Sequence, residues 1–284
     1  IKTTLLLNAN EYESVNERVV SSLRDAHVRV GGRISNNKRN TYTELPPLPE
    51  RINVVRATRD MASESFDPDI VFVKGGDSQT MIGFVGNYPN TQFVDLDQPV
   101  PCVDSGGRPD RSGACSGGVS ALPGTCAVVT SEVEGPASLA GVVAASASSN
   151  DRLGIISGMS DCEQCNRIIQ GYVQGARSVE PGIAIELAYL ADDNEEQAFS
   201  DPDSARTFAQ AFIDVYQPDV LLPVAADASI GMVEAACESG VSVIGAGIDV
   251  STEHPELETC VLASITKDIE TAVRDSMFDY TSNS

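Results

Sequence analysis

The sequence predicts an α/β protein built from two doubly wound parallel-sheet lobes, and three observations carry that expectation. Short aliphatic and β-branched runs recur along the 284 residues. They are apolar throughout, not alternating, which implies burial on both faces and hence a parallel sheet. Amphipathic segments with helical period separate them. Ten such runs suit two five-strand lobes better than one wide sheet in a chain of this length.

In chain order the expected strands are Thr4–Leu7, Ile52–Val55, Asp69–Val73, Gln92–Leu96, Ala127–Thr130, Leu153–Ile156, Ile183–Ala188, Val220–Val224, Val241–Gly245 and Cys260–Ile265. The clearest helix runs from Pro202 to Tyr216. Asp201 can cap it, and Pro202 falls at the first helical position, where a missing N–H is harmless. Ala205, Phe208, Ala209, Phe212 and Val215 form its apolar stripe. Ser138 to Ser146 is small and apolar all round, as in a helix pressed closely on its neighbours. Two stretches break the alternation: 31–49, polar with Asn36-Asn37 and Pro46-Pro47, and 99–124, rich in Gly, Pro, Ser and Cys. Both are expected to be loops.

Composition narrows the function. With 41 Asp+Glu against 19 Lys+Arg the formal net charge is −22, and only four of the cations are lysines: Lys2, Lys38, Lys74 and Lys267. Such a chain cannot build a basic groove for nucleic acid or a polybasic membrane anchor. No apolar run reaches the ~18 residues that cross a bilayer. Residue 1 is Ile, so any leader or anchor is expected in a segment outside this chain.

The seven cysteines are an odd number, and disulfides rank ahead of free thiols and of zinc. Cys162-Glu-Gln-Cys165 has the local spacing of half a zinc site, but His27 and His254 are isolated and no second pair completes it. No metal or cofactor is expected. Gly113-Ala114-Cys115-Ser116-Gly117 matches a nucleophile elbow formally, yet no buried strand precedes it and no histidine partner is evident, so a cysteine-dependent hydrolase ranks a distant third.

In open parallel sheets ligands sit beyond the carboxyl ends of the strands. The polar residues at those ends are Asn10 (with Tyr12 just after it), Gly76, Asp77, Asp97, Gly158, Asp227, Asp249 and Lys267. Each aspartate can accept from a bound hydroxyl or ammonium group, or can simply cap the next helix.

From about Asp69 onward the chain resembles the basic membrane protein family of bacterial substrate-binding proteins, which includes purine-nucleoside receptors of ABC transporters. The resemblance rests on Glu132-Val133-Glu134-Gly135-Pro136-Ala137-Ser138-Leu139-Ala140-Gly141, on Arg152-Leu153-Gly154-Ile155-Ile156-Ser157-Gly158 and on Gly171-Tyr172-Val173-Gln174-Gly175-Ala176. Phe199-Ser200-Asp201-Pro202, Asp219-Val220-Leu221-Leu222, Gly231-Met232-Val233-Glu234-Ala235-Ala236, Val243-Ile244-Gly245 and Leu262-Ala263-Ser264-Ile265-Thr266-Lys267 follow in the family's order. It implies a type I periplasmic-binding fold, two doubly wound lobes joined by a three-strand hinge with ligand in the cleft. Lobe 1 would hold 1–132 plus 250–276, and lobe 2 would hold 133–249 plus 277–284.

By the same resemblance Asn16, Asp97, Asp249 and Lys267 fall on family ligand positions, Lys267 on the lysine that reaches the ribose. The aromatic stacking positions hold Val15 and Ile168 instead, leaving Tyr12 or Tyr172 to substitute. The implied protein is not an enzyme. It is an extracytoplasmic solute-binding protein for a nucleoside or similar small molecule, monomeric, membrane-anchored and partnered by a permease. The alternative is the sensing domain of a receptor or regulator, with a signalling partner instead.

Overall fold

The computed structural model describes residues 3–6, 21, 42–44, 69–74, 90–96, 102–103, 105–106, 118–119, 126–129 and 131–283. The chain divides into two units, Ile1–Ser131 with Asp268–Ser284, and Glu132–Lys267.

The first unit carries a five-stranded parallel sheet. Its strands are β1 (Thr3–Leu6), β2 (Tyr42–Glu44), β3 (Ile70–Lys74), β4 (Gln92–Leu96) and, after two short strands, β7 (Cys126–Val129). Their order is β2-β1-β3-β4-β7. Ile70, Val71, Phe72, Phe93, Val94 and Leu96 are at most 2% exposed, so the unbroken apolar runs do mark strands covered on both faces.

Two features depart from expectation here. Tyr42–Glu44, inside the stretch read as loop, pairs in parallel with β1. Only Tyr42 and Thr43 of its three residues have strand propensity, too few to produce a readable period. Within 99–124, β5 (Cys102–Val103) and β6 (Gly118–Val119) form a small antiparallel ladder. The expected strand Ile52–Val55 lies outside the described residues.

The second unit repeats the plan. Its strands are β8 (Arg152–Ser157), β9 (Ala184–Tyr189), β10 (Val220–Val224), β11 (Ser242–Ala246) and β12 (Val261–Ile265). They run parallel in the order β9-β8-β10-β11-β12. The pairing of β12 with β11 corrects the lobe boundary read from the sequence. Residues 250–267 belong with the second unit, and the closing helix α7 (Ile269–Asn283) belongs with the first. A strand's apolar pattern does not say which sheet it joins.

Helices cover both faces of this sheet. On one side α1 (Glu134–Ala147) and α2 (Glu163–Val179) share a core with Leu153, Ile155, Val220, Leu222 and Ile244. On the other, Gly154 leaves room for the ring of Phe212 on α4 (Pro202–Tyr216), which packs on α5 (Ser229–Glu238). Between α2 and α4 runs the short α3 (Glu195–Ser200). Helix α4 forms as the sequence dictates: the Asp201 carboxylate accepts from Ser204 N at 3.0 Å, Pro202 opens the helix, and Gln217 closes it in the left-handed region at φ 51°.

The amino end of β8 is held by Asp219. Its carboxylate accepts from Ser148 Oγ at 2.8 Å, Ser149 N at 2.5 Å, Ser149 Oγ at 2.9 Å and Asn150 N at 2.9 Å. Partial burial pushes this carboxyl's pKa up, but the four donors outweigh it and hold the group below its ordinary value. Asp219→Ala is therefore expected to lower stability by about 1–2 kcal/mol at neutral pH, read by urea denaturation. The group's folded pKa is depressed, so this contribution is present above the unfolded carboxyl pKa of ~3.9 and is lost as pH falls further. Wild type and variant should converge at acid pH; a pH-independent difference would discount the carboxylate.

Candidate functional site

The strand order β9-β8-β10-β11-β12 changes winding direction between β8 and β10, and in parallel sheets that switch opens a crevice at the carboxyl edge. At this point Gly158, one residue past β8, donates its N–H to Val224 O at 3.1 Å. A Cβ at Gly158 would strike the ring of Phe199 and lie 2.8 Å from Ala198 O, so only glycine lets α3 approach so closely. Phe199 is half-buried beside this turn.

Strand β10 ends in an unusual way. Pro223, which has no N–H, lies in a central strand, a position that normally excludes proline. It is tolerated because the β10–β11 register stops at Val220↔Ser242 and Leu221↔Val243. The two strands part before their carboxyl ends. The chain then turns through Ala226 at φ 44° into a 3₁₀ turn, Ala226–Ala228, that carries Asp227. Ser229 Oγ accepts from Ala225 N at 2.8 Å and secures the turn.

Beyond β11, Gly247 takes φ 96° and donates to Ile265 O at 2.9 Å, tying the end of β11 to the end of β12. Asp249 follows as the N-cap residue of α6 (Val250–Glu253), its carboxylate accepting from Thr252 Oγ1 at 2.9 Å. Part of Asp249's capacity is thus spent on its own turn, though it accepts no helix N–H with its side chain, so it occupies the cap position without making the capping bond. Lys267 lies two residues past β12.

The carboxyl edge of this sheet therefore holds Gly158, Asp227, Asp249 and Lys267 together. Tyr172 is not with them. It is fully buried on α2 among Ala137, Ala140, Ile155 and Ile168, and burial raises the pKa of its hydroxyl, which finds no partner among the described residues. This corrects the expectation that its ring replaces a stacking aromatic: glycines on either side of it bring α1 and α2 together over the ring. Ile168 is likewise core, 5% exposed. Asn10, Tyr12, Asn16, Gly76, Asp77 and Asp97 lie outside the described residues, as does Gly113–Gly117. The aromatic residue that sequence reasoning missed at this edge is Phe199, whose signal was its place just before the Asp201-Pro202 helix start.

Two five-stranded parallel sheets of this order, the second with polar residues beyond its strand ends, define the fold class of periplasmic binding proteins of type I. The chain belongs to the family described as Bmp, ABC transporter substrate-binding protein PnrA-like, which matches residues 127–283. The chain is similar in fold to an ABC transporter solute-binding protein from Aeropyrum pernix K1, at 17% identity over 100% of this chain and 71% of that one, TM-score 0.74. It is similar also to the arabinose-binding protein AraP of Geobacillus stearothermophilus, at 11% identity over 98% and 86%, TM-score 0.70. A third is a transcriptional activator of the comK gene from Bacillus halodurans, at 15% identity over 100% and 83%, TM-score 0.70. No curated protein matches the chain.

The family and its ABC-transporter neighbours are solute-binding proteins, not enzymes. Such proteins bind small molecules outside the cytoplasm and work with membrane permease components. Among the described residues no helix is long and apolar enough to cross a membrane.

Proposed function

We propose that this chain captures a small polyhydroxylated ligand, a nucleoside being the first candidate, and presents it to an ABC-type permease. The observation that carries the reading is the carboxyl edge of the second sheet, where Asp227, Asp249 and Lys267 follow the strand ends, the half-buried Phe199 ring packs at Gly158, and β10 and β11 have already parted. Asp227 and Asp249 would accept from ligand hydroxyls, and Lys267 would donate to a ribose oxygen. Phe199 would offer its face to a base, taking the part that Ile168 cannot. Asn10, Tyr12, Asn16, Gly76, Asp77 and Asp97 are the candidates of the first unit. Attachment to a membrane and a monomeric state belong to the same proposal.

The test is a thermal-shift screen of nucleosides, pentoses, inositols and amino acids. A ligand at 100 times its Kd should stabilise the protein by about 2.7 kcal/mol. Phe199→Ala is expected to weaken a nucleoside by about 1–3 kcal/mol while leaving a free pentose little changed. Equal losses for both would assign the ring to the sugar, and a screen with no stabilising compound would sink the capture reading.

A second reading is favoured by the likeness to a transcriptional activator: the same fold used for sensing. Ligand capture would be unchanged, and the partner would be a signalling domain instead of a permease.

A further inference from the structure

Cys162 and Cys165 are joined by a disulfide across the first turn of α2, a 17-residue helix that follows β8. Cys162 is the N-cap residue, and its Sγ accepts the N–H of Cys165 at 3.2 Å. A sulfur so placed sits at the positive end of the helix, facing a backbone donor that favours thiolate over thiol. The two sulfurs differ in access: Cys162 is half-exposed, whereas Cys165 is 7% exposed and packs in the core with Ile168 and Ile169. One partner can be reached from outside and the other only through it.

The crosslink is not what holds this turn. Ser160 N donates to Asp192 Oδ1 at 3.0 Å and Asn166 Nδ2 donates to Ser160 O at 2.9 Å, fixing the approach without either sulfur. A bridge across a sequence separation of 3 also removes far less chain entropy than the Cys237–Cys260 bridge, whose separation is 23. A structural staple is thus a poor account of this pair.

We propose that Cys162 and Cys165 form a reversible thiol–disulfide exchange site, reduced by external dithiols and oxidised by external disulfides. In reduction, a dithiol's thiolate attacks Cys162 Sγ and the Sγ–Sγ bond breaks. Cys165 leaves as thiolate and takes a proton, and Cys162 is left in a mixed disulfide. The dithiol's second thiolate then attacks its own bonded sulfur and releases Cys162. Two electrons pass to the protein, and the dithiol becomes the cyclic disulfide. In the reverse direction Cys162 attacks a substrate disulfide and Cys165 resolves the intermediate.

The full chain would be equilibrated in graded mixtures of reduced and oxidised dithiothreitol, acid-quenched, alkylated with iodoacetamide and peptide-mapped. The pair is expected to become labelled in native protein at dithiothreitol ratios that leave Cys237–Cys260 oxidised, since that bridge closes a sequence separation of 23 and not 3. After reduction, Cys162 should alkylate about ten-fold faster than Cys165 or more, given its exposure and N-cap position. With glutathione disulfide, reduced Cys165→Ser should accumulate a mixed disulfide on Cys162, and reduced Cys162→Ser should form none on Cys165. Labelling of the pair only in denaturant, or equal alkylation rates at the two cysteines, would overturn the assignment.

Discussion

Gly175→Val is expected to destabilise the protein by about 3 kcal/mol or more, at or beyond the upper end for overpacked cores. Helices α1 and α2 cross at a distance that leaves no volume for a side chain. A Cβ at Gly175 would land on the carbonyl oxygen of Ser138, with Ser138 Cα at 2.8 Å. At Gly171 it would lie 2.5 Å from Glu134 O, and at Gly141 it would strike Tyr172 O. These are backbone atoms, so no rotamer change relieves the clash. The helices would have to separate, and Tyr172 between them would lose its packing. Denaturant unfolding measures the loss, and Gly135→Ala is the internal control. That position has nothing within 4 Å of an added Cβ, so alanine there should be neutral or stabilise by up to about 1 kcal/mol through helix propensity. If Gly175→Val unfolds no more easily than Gly135→Ala, the close approach of the two helices is wrong.

The same glycines explain why the sequence disclosed the fold more fully than the ligand. Gly141, Gly171, Gly175 and Gly231 all lie in the segments that resemble the binding-protein family. Each sits where backbone meets backbone, Gly231 against Pro202 O. The resemblance is to that extent a packing signature, which survives a change of ligand because helix spacing does not depend on what is bound. Strand type was legible for a related reason: β4, β8, β10 and β11 are covered on both faces, so their apolar character is uninterrupted, whereas the edge strands β9 and β12 are only partly covered. Helix α4 was legible from its capping residues and apolar stripe, although of that stripe Ala205, Ala209 and Phe212 are buried while Val215 is 70% exposed and Ile213 is buried in its place.

Long-range consequences were less legible. Nothing local in Val261–Ile265 states that it pairs with β11, and nothing in Gly171-Tyr172-Val173 states that the ring turns inward. Phe199 is informative only once Gly158, far earlier in the chain, is placed beside it. Where a site is assembled from strand ends that meet only after folding, residue type marks candidates, and topology decides which of them share an edge.

Removing the Cys237–Cys260 bridge, by Cys237→Ala with Cys260→Ala, is expected to cost about 3 kcal/mol from the loop-entropy term for its sequence separation of 23. Within the segment it closes, β11 is held by the sheet, but the stretch after β11 has little else to hold it. The 3₁₀ turn Pro255–Cys260 buries no residue, and α6 buries only Val250. Ahead of them, Ile248 is 2% exposed, and Val250 N donates to Ser264 Oγ at 3.2 Å. The bridge fastens the end of α5 to the start of β12, so it also fixes the connection that carries Asp249 and leads to Lys267. Two readouts should therefore move together in the double variant. Urea midpoints should fall under non-reducing conditions, and affinity for any compound found in the ligand screen should weaken because the Asp249–Lys267 edge loses its tether. A fall in stability with unchanged affinity would separate the bridge from the site. No fall in stability would mean that Ile248, Val250 and the Ser264 hydrogen bond suffice to hold β12 in the sheet.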